Sequence, residues 1–350
     1  MSISAPALTS ASVRQYALDC GADDVGIASM DRFDGAPPEM DPRRIFPAAK
    51  SCIGLVFRIA RGYIRGIEEG THFFQYPSMG YGGINEIYAP TVLYELGRFI
   101  EDHGYEAAVY RNTGGRGSVS DMTGRPEHTE SPELHGGWAQ RALIHTKSAR
   151  PGQPAPDVQI HFRIAAFLCG LGEIGLSKMF LSRAFGPLNR QAFILTDAEL
   201  EPDPLVEAGR LCNHCGACVA QCPGRCLSKT GRVQVTLAGR PVEWAELDEW
   251  SCFAYYEGAA RKSNPFLPAD AYRAMATGDA ILRGEHAVTR DEFNPVHHAV
   301  MATYPNEPGG YNPPKCGGCL RACIAAMERR GVLPTAFATP FRTQAPWRAD

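Results

Sequence analysis

The chain has 350 residues, 44% of them apolar and 21% charged, with a formal charge of −3. This ordinary globular balance allows one large domain with a smaller one beside it. It gives no support to nucleic-acid binding, because the 35 Lys and Arg residues form no run or arm, or to a membrane span, because stretches such as Ser51–Phe57 and Ile164–Leu171 fall far short of roughly 20 apolar residues.

Met1 to Ser12 lacks the basic segment, apolar segment and twin arginines of an export signal, which predicts a cytoplasmic protein. Val13, Tyr16, Ala17 and Cys20 recur at helical spacing and Gly21 stands at a C-cap position, so a helix is expected, then a buried strand over Val25–Ala28. Pro42 and Pro47 mark turns before Ser51–Ile59, whose β-formers predict an interior strand. Val92, Leu93, Leu96, Phe99 and Ile100 form an apolar stripe closed by Gly104, with a strand expected over Ala107–Tyr110. Asn112 to Pro156 is dense in Gly, Ser, Pro and charge, which suits long surface loops or a lid. A helix over Phe162–Gly170 and a strand over Gln191–Thr196 complete an α/β or α+β layer. The acidic, Pro-containing Asp197–Pro204 reads as a boundary, with a cysteine-rich module from about Val206 and a polar tail over Thr335–Asp350.

Most of the 12 cysteines crowd into Cys212–Cys226 and Cys316–Cys323, at spacings too tight for a disulfide framework. Cys212-Asn-His-Cys215-Gly-Ala-Cys218-Val-Ala-Gln-Cys222-Pro223 has the C-x2-C-x2-C-x3-C-P spacing by which bacterial ferredoxins wrap a four-iron, four-sulfur cubane. Three thiolates of such a loop serve one cluster and the fourth serves a neighbour, so a second cluster is implied. Cys316-Gly-Gly-Cys319-Leu-Arg-Ala-Cys323 supplies C-x2-C-x3-C. With the crossover, Cys212, Cys215, Cys218 and Cys323 hold one cluster. Cys222, Cys316 and Cys319 hold the other and need one more thiolate, for which Cys252 and Cys226 compete. Closing the chain between Cys222 and Cys316 costs roughly 4 kcal/mol of entropy, which metal–thiolate binding free energies of roughly 10 kcal/mol or more exceed. Structural zinc on Cys212, Cys215, Cys316 and Cys319 is the alternative, but it gives Cys218, Cys222, Cys323 and Pro223 no task. Cys20, Cys52 and Cys169 lie in apolar patterns and are expected in the core.

Before the first cysteine motif stand Cys169-Gly170-Leu171-Gly172-Glu173-Ile174-Gly175-Leu176, Phe185-Gly186-Pro187 and Ile194-Leu195-Thr196-Asp197. A G-L-G-x-x-G loop, an F-G-P turn and a T-D strand in this order resemble epoxyqueuosine reductases and reductive dehalogenases. Cys20–Ala28, Phe46–Ile53 and Trp250–Tyr256 are similar too, so the resemblance covers most of Val13–Cys323.

The resemblance implies an α+β fold: a nitroreductase-like α/β core over residues 1–205 for cobalamin and substrate, a two-cluster ferredoxin-like domain over 206–335, and a tail over 336–350. It favours Cys252 as the missing ligand. It implies that Gly170, Leu171, Gly172, Gly175, Leu176, Phe185 and Gly186 lie against the cofactor, whereas spacing alone equally suits a helix C-cap and turn. Ala155-Pro156-Asp157 resembles, in disturbed order, the epoxyqueuosine reductase segment with a proposed proton donor, which carries that role to Asp157. His161, titratable in the useful range, is a rival general acid. Dehalogenases pair a Tyr donor with a basic residue, for which Tyr81, Tyr88 and Tyr110 with Arg111 are available. The implied reaction passes electrons from an external donor such as ferredoxin or flavodoxin, through both clusters and cobalamin, to a small organic substrate. An electron-transfer protein with flavin or no second cofactor is the alternative.

Overall fold

The computed structural model describes residues 7–111, 148–154, 158–303 and 315–349, together with the backbone pairing of Thr129–Glu130 with Leu143–Ile144. Most of the expected loop region Asn112–Pro156 lies outside the described residues, as does Asp157. Among the described residues no helix is long and apolar enough to cross a membrane.

The first half is mixed α/β. Strands β1 (Asp24–Ser29), β2 (Ser51–Arg58), β3 (Ala107–Tyr110) and β4 (Asn189–Thr196) form one sheet in the order β1-β2-β4-β3, every neighbouring pair antiparallel. Seven successive residues of β2 are buried, as expected of a strand covered on both faces. Its side chains divide by the two-residue period. Ile53, Leu55 and Phe57 pack with helices α1 (Ser10–Asp19) and α2 (Gly62–Glu69) and with α3 (Ala89–Asp102). Cys52 and Val56 face a second core built on α4 (Phe162–Leu168) and Trp244.

Helix α4 stops two residues short of the expected Gly170, because Gly170 takes the left-handed conformation (φ +73°) that ends helices. Leu171 then drops onto the sheet where Gly26 and Gly54 pair across β1 and β2. A Cβ on Gly26 would stand 2.2 Å from the Cys169 carbonyl oxygen, and one on Gly54 would stand 2.9 Å from Leu171 Cδ1. Two facing glycines thus make the depression that this leucine fills. Of the three cysteines expected in the core, Cys52 and Cys169 are fully buried and Cys20 is half-buried against it.

A π-helical stretch over Ser78–Tyr88, with glycines at 80, 82 and 83, runs directly into α3. The boundary segment Asp197–Pro204 is tied to the sheet: Asp203 accepts from Arg14 and from the Ile27 N–H, each at 2.8 Å.

After residue 206 the chain makes a hairpin, β5 (Leu227–Leu237) with β6 (Arg240–Leu247). Its two-residue turn has left-handed backbone at Ala238 (φ 46°) and Gly239 (φ 73°), the twist that suits tight hairpins. Helices α5 (Glu249–Glu257) and α6 (Arg290–Thr303) share a separate apolar core that includes Ala254, Tyr255, Phe293 and Val296. Helix α7 (Gly318–Arg330) reaches back into the first core through Leu320, Ile324 and Ala325. Buried Glu68 of α2 accepts from Arg321 of α7 at 2.6 Å and from Arg342. The tail lies along α2, with Phe341 fully buried and the Trp347 indole N–H donating to the Ile67 carbonyl.

Candidate functional site

Left-handed backbone at His214 (φ 55°) and Gly216 (φ 72°) bends the chain between Cys212, Cys215 and Cys218. Cys323 joins them from α7, and the four line one small cavity. Cys215 is exposed, Cys218 is buried, and Cys212 and Cys323 are intermediate. Burial and then Cys212 push the Cys218 thiol up to about 11. Burial together with Cys212, Cys218 and Cys215 pushes Cys323 up. Thiols that raise one another's pKa in this way share one space, where a positive body would relieve them.

Cys222, Cys252, Cys316 and Cys319, with Cys226, stand in the wall of a larger cavity of about 420 Å3. Burial pushes Cys316 up to about 12 and pushes Cys319 up strongly, and both thiols also feel Cys222 and Cys252. Cys222 moves the other way, to about 6, because the Cys226 thiol and several backbone N–H groups outweigh burial. The Cys226 N–H lies 3.2 Å from Cys222 Sγ.

Aromatic and cationic residues also line this cavity, among them Tyr76, Tyr81, Lys178 and Arg190. Arg190 leaves β4 and donates from Nε to the Gly80 carbonyl and from Nη2 to Tyr76 Oη, each at 3.2 Å, with its guanidinium 3.9 Å from the centre of the Tyr81 ring. The π-helical stretch supplies both Gly80 and Tyr81 to that contact. Among the described residues no carboxylate pairs with Arg190; the neighbouring cations Lys178 and Lys315 pair with Glu249 and Glu257. Lys178 has left-handed backbone (φ 61°), a costly conformation for a side-chain-bearing residue and one that collects at functional sites.

The residues expected against the cofactor have other neighbours. A Cβ on Gly170 would meet the Pro204 carbonyl at 2.4 Å, one on Gly172 the Leu181 carbonyl at 1.9 Å, and one on Gly175 the Leu181 side chain at 2.9 Å. Leu171 fills the sheet depression, and Leu176 packs beside Cys218, Leu227 and Ala245. Phe185 lies under the Arg58 guanidinium. Gly186 leaves room for Met327 of α7. The cavity is lined instead by the next residues along, Ser177 to Phe180, and by Pro187 and Arg190. Tyr81 and Tyr110 also line it, whereas Tyr88 donates to the Gly21 carbonyl and Arg111 pairs with Glu86.

His161 is 2% exposed and caps α4, its Nδ1 accepting from the Ile164 N–H at 3.3 Å. Burial, then the charges of Lys178 and Arg163, holds its pKa well below the usual range, so the folded protein carries it neutral. The unfolded chain takes up that proton below about pH 6.5, so this group's contribution to stability is complete above that pH and is lost as pH falls below it. His161→Asn keeps a cap acceptor without the titration. The loss of unfolding free energy between pH 7.5 and 5 is therefore expected to be smaller in the variant, by at most about 1.4 kcal/mol per pH unit; equal slopes would refute the assignment.

The sequence gives Lys178 and Tyr76 no task, and it gives Arg190 only a place in the stretch that resembles epoxyqueuosine reductases and reductive dehalogenases. Arg190 lies three residues beyond the F-G-P turn, and that adjacency was the available signal.

No family model matches the chain. Tetrachloroethene reductive dehalogenases of Desulfitobacterium hafniense and Dehalobacter restrictus are 37% identical to it over 65 residues, which is 18% of this chain and only 12% of those proteins. A catabolic reductive dehalogenase solved with 3-bromo-4-hydroxybenzoic acid is 16% identical, covering 83% of this chain and 36% of that one, with a TM-score of 0.44. An epoxyqueuosine reductase solved with a modified tRNA-Tyr stem loop is 14% identical, covering 93% and 83%, with a TM-score of 0.42. The chain is thus similar in sequence to reductive dehalogenases over one short stretch, and its structural neighbours are reductive dehalogenases and epoxyqueuosine reductases.

Proposed function

We propose that the chain is an iron–sulfur oxidoreductase in which two cubane clusters deliver electrons into the cavity beside Cys252, Cys316 and Cys319. The observation that carries this reading is that the second thiol set is itself part of the cavity wall. A molecule held there lies against the electron source with no intervening layer of protein. The cysteines also fit clusters better than a lone ion: each set faces a common space, and among the described residues no three His, Cys, Asp or Glu groups are arranged to hold a single metal ion. A cubane spreads its ligands over separate irons.

Cobalamin is the second cofactor of this reading, and when bound it would supply a strongly reducing cobalt. Ser177 to Phe180, Pro187 and Arg190 would hold it, rather than the glycine run, whose Cβ directions are filled by the chain itself. A volume of about 420 Å3 is that of a small-molecule site and would take such a cofactor only in part. The chain's own contribution is the polar wall: Arg190 donates to Tyr76 Oη and would stabilise negative charge developing there as a proton is given up. The substrate is a small molecule, reduced with electrons from an external donor. The same ring-sized, aromatic cavity favours a second reading, in which flavin takes the place of cobalamin.

Anaerobically prepared protein is expected to be brown with about eight irons per chain and to bind a corrinoid. Measuring iron, sulfide, cobalt and flavin together tests this. A colourless zinc protein would overturn the reading, and full iron with bound flavin and no corrinoid affinity would replace cobalamin by flavin.

A further inference from the structure

The glycine run has a task that its sequence does not announce. Residues Gly172–Ile174 pair with Phe180–Ser182 as a short hairpin, and Glu173 stands in its first strand, 5% exposed. Its carboxylate accepts three backbone N–H groups from the loop that leads into the first cysteine motif: Arg210 at 3.1 Å, Leu211 at 2.9 Å and Cys212 at 3.0 Å. Among the described residues no cation pairs with it. From the end of the same run, the Leu176 N–H points at Cys212 Sγ, 3.3 Å away, and a Cβ on Gly175 would stand 3.5 Å from that sulfur. Arg330 of α7 binds the same loop, donating to the Leu211 carbonyl and to Asn213 Oδ1, both at 3.0 Å.

We infer that Glu173 is the positioning residue of the first cluster: it shapes the ligand loop around Cys212, and its uncompensated charge keeps that cluster's reduction potential low. The inference rests on the reading that Cys212, Cys215, Cys218 and Cys323 hold a cubane. The physics has two parts. A buried carboxylate is stable here because three N–H donors satisfy it, so it fixes the backbone ahead of Cys212. Adding an electron to a cluster beside a fixed negative charge is disfavoured, and net charge is one of the determinants of such potentials. Arg330, a cation bound to the same loop, acts with the opposite sign. The solvent-facing cluster, whose Cys215 is exposed, is thereby kept a strong reductant toward the one at the cavity.

The test reconstitutes the full chain, Glu173→Gln and Arg330→Gln anaerobically, and measures iron content and both midpoint potentials by an EPR-monitored titration. Glu173→Gln is expected to raise one midpoint potential and leave the other unmoved; Arg330→Gln is expected to lower that same one. Variants with wild-type iron and two unmoved potentials would overturn the inference, because a merely structural role moves neither. If Glu173→Gln loses its first cluster, the sign of the shift in Arg330→Gln decides. An iron-free wild-type chain would instead remove the cluster reading, and the inference with it.

Discussion

Replacing Cys252 by Ala is expected to cut the iron of the anaerobic protein from about eight to about four atoms per chain, while Cys226→Ala leaves it at about eight. The two cysteines compete for one place, and their surroundings differ. The Cys319 thiol is pushed up by burial and, among thiols, first by Cys252, then by Cys316, Cys222 and Cys218. Cys226 leans on Cys222 through its N–H and thiol, the arrangement of a group that supports a ligand. Losing a supporting group shifts a cluster's properties, whereas losing a ligand opens a corner of the cubane. Iron analysis with cluster spectra for both variants decides between them, and the reverse pattern would assign the place to Cys226.

The second large effect is expected at Glu68. Substituting Gln leaves the Arg321 and Arg342 guanidiniums facing each other without their carboxylate, at side-chain exposures of 11% and 16%. An uncompensated buried charge of this kind costs about 3–5 kcal/mol. Burial pushes Glu68 up, and the two arginines more than offset this and hold it below the usual carboxylate range. Because Arg321 stands between Cys319 and Cys323 on α7, iron release is expected to follow the lowered denaturation midpoint. Changing all three residues to apolar ones of similar size is expected to cost much less, since no charge is left behind. A Glu68→Gln midpoint equal to wild type would show that the triad contributes no net stability.

The strands Val25–Ala28, Ser51–Ile59 and Ala107–Tyr110 were legible because apolar runs bounded by glycine or proline leave few other options. The hairpin Leu227–Leu247 was not, since its Val233, Val235 and Val242 alternate among charges inside a stretch dominated by cysteine spacing. That Cys212, Cys215 and Cys218 gather was legible for a different reason: their close spacing along the chain already puts them on one short loop. A single Arg or Glu carries no such direction. Arg190 faces the cavity because of the register of β4, and Glu173 reaches residue 212 because of a hairpin that only the folded chain displays. Glycines announce close approach but not what approaches; at 170, 172 and 175 it is the protein's own backbone and Leu181.

Cys319 and Cys323 rise from successive turns of one helix, about 6 Å apart along its axis. The step between the two proposed iron centres would then be spanned by a rod, so that the gap for electron tunnelling is set by the rise of one helix.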